Sequence, residues 1–483
     1  MPYRSGRTPR GRKVNLARSS VKLFLAKFLT AGLGFIGITY FARELGASQM
    51  GIFFLFQALL GMLAIPANFG LGGAVEKRIS EGEDRGTFLS SAILLKIVPI
   101  AVLVLVILVF RSIINGYLGA ELASFLALAI VLQEAAQLAV AVLKGELRVG
   151  ETAVLEVVRQ VTWVGGGALL IGYGYGVQAL IYSLLAGIGV MLLWGWFKSS
   201  VSLGRPSINH GRSLFDYGKY NVVSSIGGYF YSWMDVAIIG LFLTQAHVGA
   251  YEVAWRVTAV SILFSQAIAA TIFPQVSDWS ANGAQQRIED LISSVMTPSL
   301  YFVIPAFFGA AVFSEEILRY TFGEEYTIAA LVLVILMADK IFQAIQLVIG
   351  KSLQAIDKPD LAAKATIASV VANAVLNVVL VLEFGIVGAA VATVLSSLLN
   401  DLLHFLYLRK YVSIHFPYRE ITECLISAVI MGGALLLLKH VYQISTLAEL
   451  LVFVLAGGLI YGVTTLSLPT LRSRMMVTMN QFV

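Results

Sequence analysis

Six basic and six acidic side chains set within the long apolar runs of this 483-residue sequence are its candidates for chemistry. The basic ones are Lys22, Lys27, Lys96, Arg159, Arg256 and Lys340; the acidic ones are Glu134, Glu156, Asp235, Glu252, Asp339 and Asp401. An ionised group at mid-bilayer costs at least about 2.5–3.5 kcal/mol on insertion scales, so it faces a wet cavity, pairs with an opposite charge or marks an ion path. Lys27, Lys96, Arg159 and Arg256 lie deep enough to act as cavity cations for an anionic ligand. Lys22 lies close enough to a membrane edge to snorkel. Asp235, Asp339 and Lys340 are polar or ion-coupling candidates, and Tyr231 and Trp233 offer aromatic surface beside Asp235. Two spacings favour pairing instead: Glu252 precedes Arg256 by four residues and Glu156 precedes Arg159 by three, the separations of in-helix ion pairs. Asp339 and Lys340 are adjacent and point about 100° apart on a helix, so each can bridge to a different neighbour.

Other chemistries are excluded by what the sequence lacks. There is no Gly-x-x-x-x-Gly-Lys-Ser/Thr loop for direct use of ATP. The single cysteine, Cys424, rules out a disulfide framework and a thiol redox pair. Five histidines without His-x-x-x-His spacing, and no Asp-x-Asp, give no metal or catalytic constellation. No cofactor, no metal and no enzymatic site are expected.

The elements that must hold these charges are membrane helices. The chain is 58% hydrophobic and 13% charged, with a mean hydropathy of +0.83, whereas soluble domains carry about 25% charged residues. Fourteen apolar stretches each approach the roughly 20 residues that cross a hydrocarbon core, at 19–42, 49–73, 88–110, 120–143, 152–172, 177–197, 217–242, 248–273, 291–313, 327–350, 362–382, 386–408, 421–438 and 446–468. They lack the alternation of barrel strands, which leaves helices. Alternate loops carry 24 and 4 basic residues, and residues 1–18 hold six with no acid. By the positive-inside rule both termini are cytoplasmic, and the net charge of +6 is topological, with no nucleic-acid partner implied.

An internal repeat organises the spans. LGASQMGIFFLF after the first span aligns with LTQAHVGAYEVA after the seventh, pairing Leu45 with Leu243, Gly51 with Gly249 and Phe53 with Tyr251 at an offset of 198 residues. YGYGVQAL at 173–180 and FGIVGAAV at 384–391 match before the sixth and twelfth spans. The expected architecture is an all-α polytopic membrane protein of about 14 transmembrane helices. It comprises a basic tail (1–18), a six-helix N-lobe (19–197), a cytoplasmic linker (198–216), a six-helix C-lobe (217–410), two extra helices (411–470) and a cytoplasmic tail (471–483). Parallel six-helix repeats are a known transporter plan, with the substrate between the lobes.

Particular strings resemble a family. FSEEILRYTFGEEY (313–326), GKSLQAIDKPDLAAKA (350–365) and NAVLNVVLVLEFGIVGAAVATVLSS (373–397) look like the polysaccharide or oligosaccharide flippases of the MATE-like exporter superfamily. FARELGASQMGIFFL (41–55) and FGLGGAVEKRISE (69–81) are similar to that family's first and second span exits, although LGASQMG stands where the family commonly has Leu-Gly-Pro-x-x-Tyr-Gly. The resemblance implies two lobes around a cavity, moving a polyprenyl-(pyro)phosphate-linked oligosaccharide from the cytoplasmic to the outer leaflet of the cell membrane by alternating access. Its implied partners are that lipid-linked oligosaccharide, membrane lipids and glycan assembly enzymes; the in-span acids Asp235 and Asp339 leave H+, Na+ or membrane-potential coupling open. An acid at the place of Asp235 is common in the family, where it pairs with a cavity cation. Alternatives are a cation-coupled multidrug exporter or a lipid II flippase of the same superfamily, or a membrane-embedded glycan polymerase or ligase. Alanine at Lys27, Arg159 and Arg256 together is expected to abolish transport while folded protein persists; full transport by the triple variant would sink the cavity-cation reading.

Overall fold

A computed structural model describes residues 16–472, with side chains described from Leu25 onward apart from those of 220–232. The basic residues before Leu16, the side chains of Lys22 and Tyr231, and the tail beyond Arg472 therefore lie outside the described set. Every regular element within it is helical. The first half comprises α1 (Leu16–Asn68), α2 (Leu71–Glu81), α3 (Arg85–Val109), α4 (Arg111–Leu118), α5 (Ala123–Gly145), α6 (Val149–Gly172) and α7 (Val177–Lys198). The second comprises α8 (Ile208–Phe242), α9 (Gln245–Ser261), α10 (Leu263–Ala281), α11 (Gln285–Leu300), α12 (Val303–Thr321), a 3-10 turn (Glu324–Ala329), α13 (Ala330–Ala355), α14 (Pro359–Leu408), α15 (Tyr418–Val441) and α16 (Leu447–Ser467).

Ten helical segments among the described residues are long and apolar enough to cross a membrane, and eleven if α9 and α10, bent by 54°, count as one more. The packing is that of a chain solvated by lipid. Along α3, Ser90, Ser91 and Lys96 are buried while Leu94, Ile97, Val98, Val102 and Leu105 are exposed. A water-soluble helix would reverse that pattern.

Two expected joints, near Ala47 and near Phe384, are not loops. Each is a sharp kink where two helices meet at a single non-helical glycine: Gly46 (φ 76°, ψ 172°) within α1 and Gly385 (φ 59°, ψ −139°) within α14. Positive φ of this kind is open to glycine at little cost. The repeat partner of Gly385, Gly174, also has positive φ at 86°. At the α1 break, the freed amide of Ala47 donates to Glu325 Oε2 at 2.8 Å, and Tyr326 Oη donates to the carbonyl of Ala42 at 3.3 Å. The turn containing the Phe-Gly-Glu-Glu-Tyr string thus caps the break.

The repeat shows itself again where its two copies touch. A Cβ on Gly51 would lie 1.7 Å from the carbonyl oxygen of Gln245, and a Cβ on Gly249 would lie 2.1 Å from that of Ala47. Gln245 is the repeat partner of Ala47, as Gly249 is of Gly51, so each copy's glycine admits the other's backbone. Residue i meets j' while i' meets j, the pattern of a twofold contact.

The helices gather into two compact units. Among the described residues, the first holds 16–38, 63–112 and 122–225; the second holds 39–62, 113–121 and 226–472. In the first, α2 and α3 pack on α5, and α7 packs on α5 and α6, around Leu71, Val75, Ile79, Leu89, Leu138 and Val142. In the second, α13 is the hub, touching α9, α10, α11, α12 and α14, with α15 and α16 laid against α12. Because Gly51 and Gly249 meet backbone, which cannot rotate away, alanine at either is expected to lower stability by about 1–3 kcal/mol through overpacking. Gly458→Ala, with nothing within 4 Å of its added methyl, should be neutral; thermal unfolding of the purified variants in detergent checks the contrast.

Candidate functional site

Polar side chains converge at two places, one in each unit. In the first unit, a cavity of about 670 Å³ is lined by α1 (Ala26, Lys27, Thr30, Ala31), α2 (Glu76), α5 (Gln137, Val140, Lys144) and α6 (Val149, Thr152, Ala153, Glu156). Helical spacing explains the convergence: 137, 140 and 144, and 149, 152, 153 and 156, each follow the i, i+3, i+4, i+7 rows of a single face. Lys27 is exposed and Lys144 half-buried, and neither has an ion-pair partner within 4 Å among the described residues. Arg159, by contrast, holds Glu156 at 3.0 Å from its Nε.

Lys96 lies apart from that cavity. Its Nζ donates to Glu134 Oε2 at 2.7 Å, with the two residues only 3% and 2% exposed. A buried pair of this kind is neutral as a unit, and removing either partner strands a charge.

In the second unit Asp235, on α8, is the centre of a buried network. Its Oδ2 accepts from Tyr251 Oη on α9 and from Thr393 Oγ1 on α14, both at 2.6 Å, and its Oδ1 accepts from Asn377 Nδ2 at 2.9 Å. The network continues along α14. Asn377 Nδ2 also donates to the Asn373 carbonyl at 3.1 Å, Asn373 Nδ2 to Ser396 Oγ at 3.0 Å, and Ser369 Oγ to the Ser396 carbonyl at 2.8 Å. Asp235 therefore ties α8 and α9 to both sides of the Gly385 break.

Beside Asp235 is a cavity of about 30 Å³ bounded by Asp235, Tyr251, Glu252, Trp255, Asp339, Lys340, Gln343 and Thr393. That is room for one or two water-sized occupants. Lys340 Nζ is 3.3 Å from Asp339 Oδ2 and 5.7 Å from the centre of the Trp255 ring. Asp339 Oδ1 is buried with no hydrogen-bond partner among the described residues. Arg256 holds Glu252 at 2.9 Å and lies 5.0 Å from the centre of the Phe54 ring. Trp233 is half-buried against Gly61, whose Cβ position is 3.0 Å from the indole nitrogen.

The arrangement brings Asp235, Asp339 and Lys340 to one cavity and pairs Arg256, Arg159 and Lys96 with carboxylates. It leaves Lys27 unpaired, and Tyr231 lies outside the described side chains. Sequence reasoning missed Tyr251, Asn377 and Thr393 as partners of Asp235. The available signal was the row of small polar residues Ser369, Asn373 and Asn377, four apart on an apolar helix. It also missed Lys144 and Glu76, read as loop charges.

Known proteins share both the sequence and the fold. The model of the family "Polysaccharide biosynthesis protein" matches residues 40–331, and that of "Lipid II flippase MurJ" matches 218–456. The probable low-salt glycan biosynthesis flippase Agl15 of Haloferax volcanii is 61% identical over 459 residues, covering 95% of this chain and 97% of that protein. The probable flippase AglR of the same organism is 28% identical over 460 residues, covering 94% and 96%. Among solved structures, lipid II flippase MurJ in an inward closed conformation superposes with a TM-score of 0.78 at 17% identity, covering 92% of this chain and 98% of that one. An inward-facing multidrug resistance MATE transporter gives 0.66 at 15% identity, covering 82% and 98%. With a family model over more than half its length and a relative matching nearly end to end, the chain belongs to the polysaccharide biosynthesis family of membrane flippases.

Proposed function

We propose that this protein moves a polyprenyl-(pyro)phosphate-linked oligosaccharide from the cytoplasmic to the outer leaflet by alternating access, without enzymatic chemistry. The observation that carries the reading is the end-to-end 61% identity to a glycan biosynthesis flippase. Lipid II flippase and drug exporter are the neighbouring readings. The match of the MurJ model over 218–456 favours lipid II as the second choice, since a lipid II headgroup poses the same problem of a phosphate and sugars crossing hydrocarbon.

Fourteen crossings result if each half of α1 and of α14, the bent α9–α10 pair and α8 are counted with the other apolar segments. An even count puts both termini on one side of the membrane, and the basic loop charges make that side the cytoplasm. The lobes are then 19–197 and 217–410, joined by 198–216 and followed by the pair in 411–470.

Phosphate is the charged part of the cargo, and ammonium or guanidinium groups in a wet cavity replace its water with charge-assisted hydrogen bonds. Lys27, unpaired in its cavity, is the cation freest to do so. Arg159 and Arg256 must share themselves with carboxylates, and Lys96 is structural. The second unit supplies the coupling. Asp235, Glu252 and Asp339 outnumber Arg256 and Lys340, so the buried cluster has one negative charge in surplus when all are ionised. A proton or Na+ removes that surplus, and the small cavity beside Asp235 has room for either.

Loss of the gene is expected to leave lipid-linked glycan accumulating in the cytoplasmic leaflet, and normal surface glycan without the protein would reject the function. Lys27→Ala should lower transport at least about tenfold, the scale of one charged hydrogen bond, with unchanged unfolding temperature. Lys96→Ala should instead lose about 3–5 kcal/mol of stability. Asp235→Asn should make residual transport indifferent to pH and to Na+; a variant keeping the dependence of the parent would remove Asp235 from coupling.

A further inference from the structure

We infer that the cavity of the first unit is a sugar-phosphate subsite in which Lys144 acts with Lys27 on the phosphate and Glu76 accepts from sugar hydroxyls. The inference rests on the flippase reading and adds to it residues and a ligand class. Four charged side chains, Lys27, Lys144, Glu76 and Glu156, line one cavity. No ion pair within 4 Å joins either lysine to either acid, whereas Glu156 holds Arg159 outside the lining. Four charges held apart around one space in an apolar body suit a ligand that carries both signs of polarity. Ammonium groups donate and carry positive charge, as a phosphate requires; carboxylates only accept, as sugar hydroxyls require.

The backbone fixes this spacing. Lys144 stands in the last turn of α5, where the negative end of the helix dipole favours a cation. Next to it, Gly145 lets α2 come so close that its own Cβ would lie 2.8 Å from the carbonyl of Glu76 and 2.8 Å from Ile79 Cβ. Glu76 is thereby held near Lys144 by packing rather than by an ion pair, which leaves its carboxylate available. Gln137 and Thr152 add neutral hydrogen-bonding groups on the same lining. At about 670 Å³ the space is in the usual range for small-ligand pockets, about 300–1,000 Å³. It accommodates a phosphate with the sugar next to it, not a whole glycan. Recognition here is of the lipid-proximal end, and the distal sugars go unread.

The full-length protein in nanodiscs, titrated with a short-chain polyprenyl diphosphate with and without one attached sugar, tests this. Lys144→Ala should weaken both probes about tenfold or more, Lys144→Arg should restore most of the loss, and Glu76→Gln should weaken only the sugar-bearing probe. Inorganic pyrophosphate should compete with both. Lys144→Ala binding both probes as the parent does would overturn the subsite while leaving the flippase reading intact. A Glu76→Gln variant weakening both probes equally would remove its role toward sugar. A parent protein that binds neither probe would overturn the subsite and the function together. Thermal unfolding of each variant separates lost binding from lost fold.

Discussion

Charge in hydrocarbon is the constraint from which the rest of this structure follows. Every ionised group kept among apolar helices raises the free energy unless something answers it, and the molecule answers in three ways. Lys96 is neutralised by a single carboxylate from another helix. Asp235 is surrounded by three neutral donors, so its charge is solvated by hydroxyl and amide groups rather than cancelled. Lys27 and Lys144 remain in contact with open space. Only the second and third leave a charge without an opposite charge beside it, and they lie in different units.

That division separates anchoring from exchange. The α14 network through Ser369, Asn373, Asn377 and Ser396 crosses from one side of the Gly385 break to the other. A change in the charge of Asp235 alters what those donors find, and therefore bears on how the two halves of α14 hold together. In the first unit the cavity walls are helices pressed together through glycine, and their charges meet no such network. One place is a buried hydrogen-bond network spanning a helix break, the other an open cavity with close-packed walls.

Much of this was legible in the sequence, and the limits were physical. The apolar runs and their loop charges marked the helical stretches, because lipid permits little else. The short joints near Ala47 and Phe384 were legible in place, and with no water to solvate a loop each narrows to a single glycine between two helices. In-helix pairs were legible from spacing alone, as Glu252–Arg256 and Glu156–Arg159 show. Partners from distant helices were not. Glu134 is 38 residues from Lys96, and Asn377 and Thr393 are 142 and 158 from Asp235, separations that carry no pattern. Lys144 was hidden for a different reason: at the end of α5 it looked like one more loop charge.

The crossing of the two LG-x4-G and LT-x4-G segments couples two distant positions of the chain. It is the contact that two identical chains would make about a dyad, now written twice into one polypeptide. In a homodimer a single substitution changes both sides of such a contact at once. Within one chain each side is encoded separately, yet each rests on the other's backbone. A side chain larger than glycine at residue 51 displaces the segment on which residue 249 depends, so the two sites accept change only in concert. The two copies differ in their charges and agree at the glycines through which each admits the other.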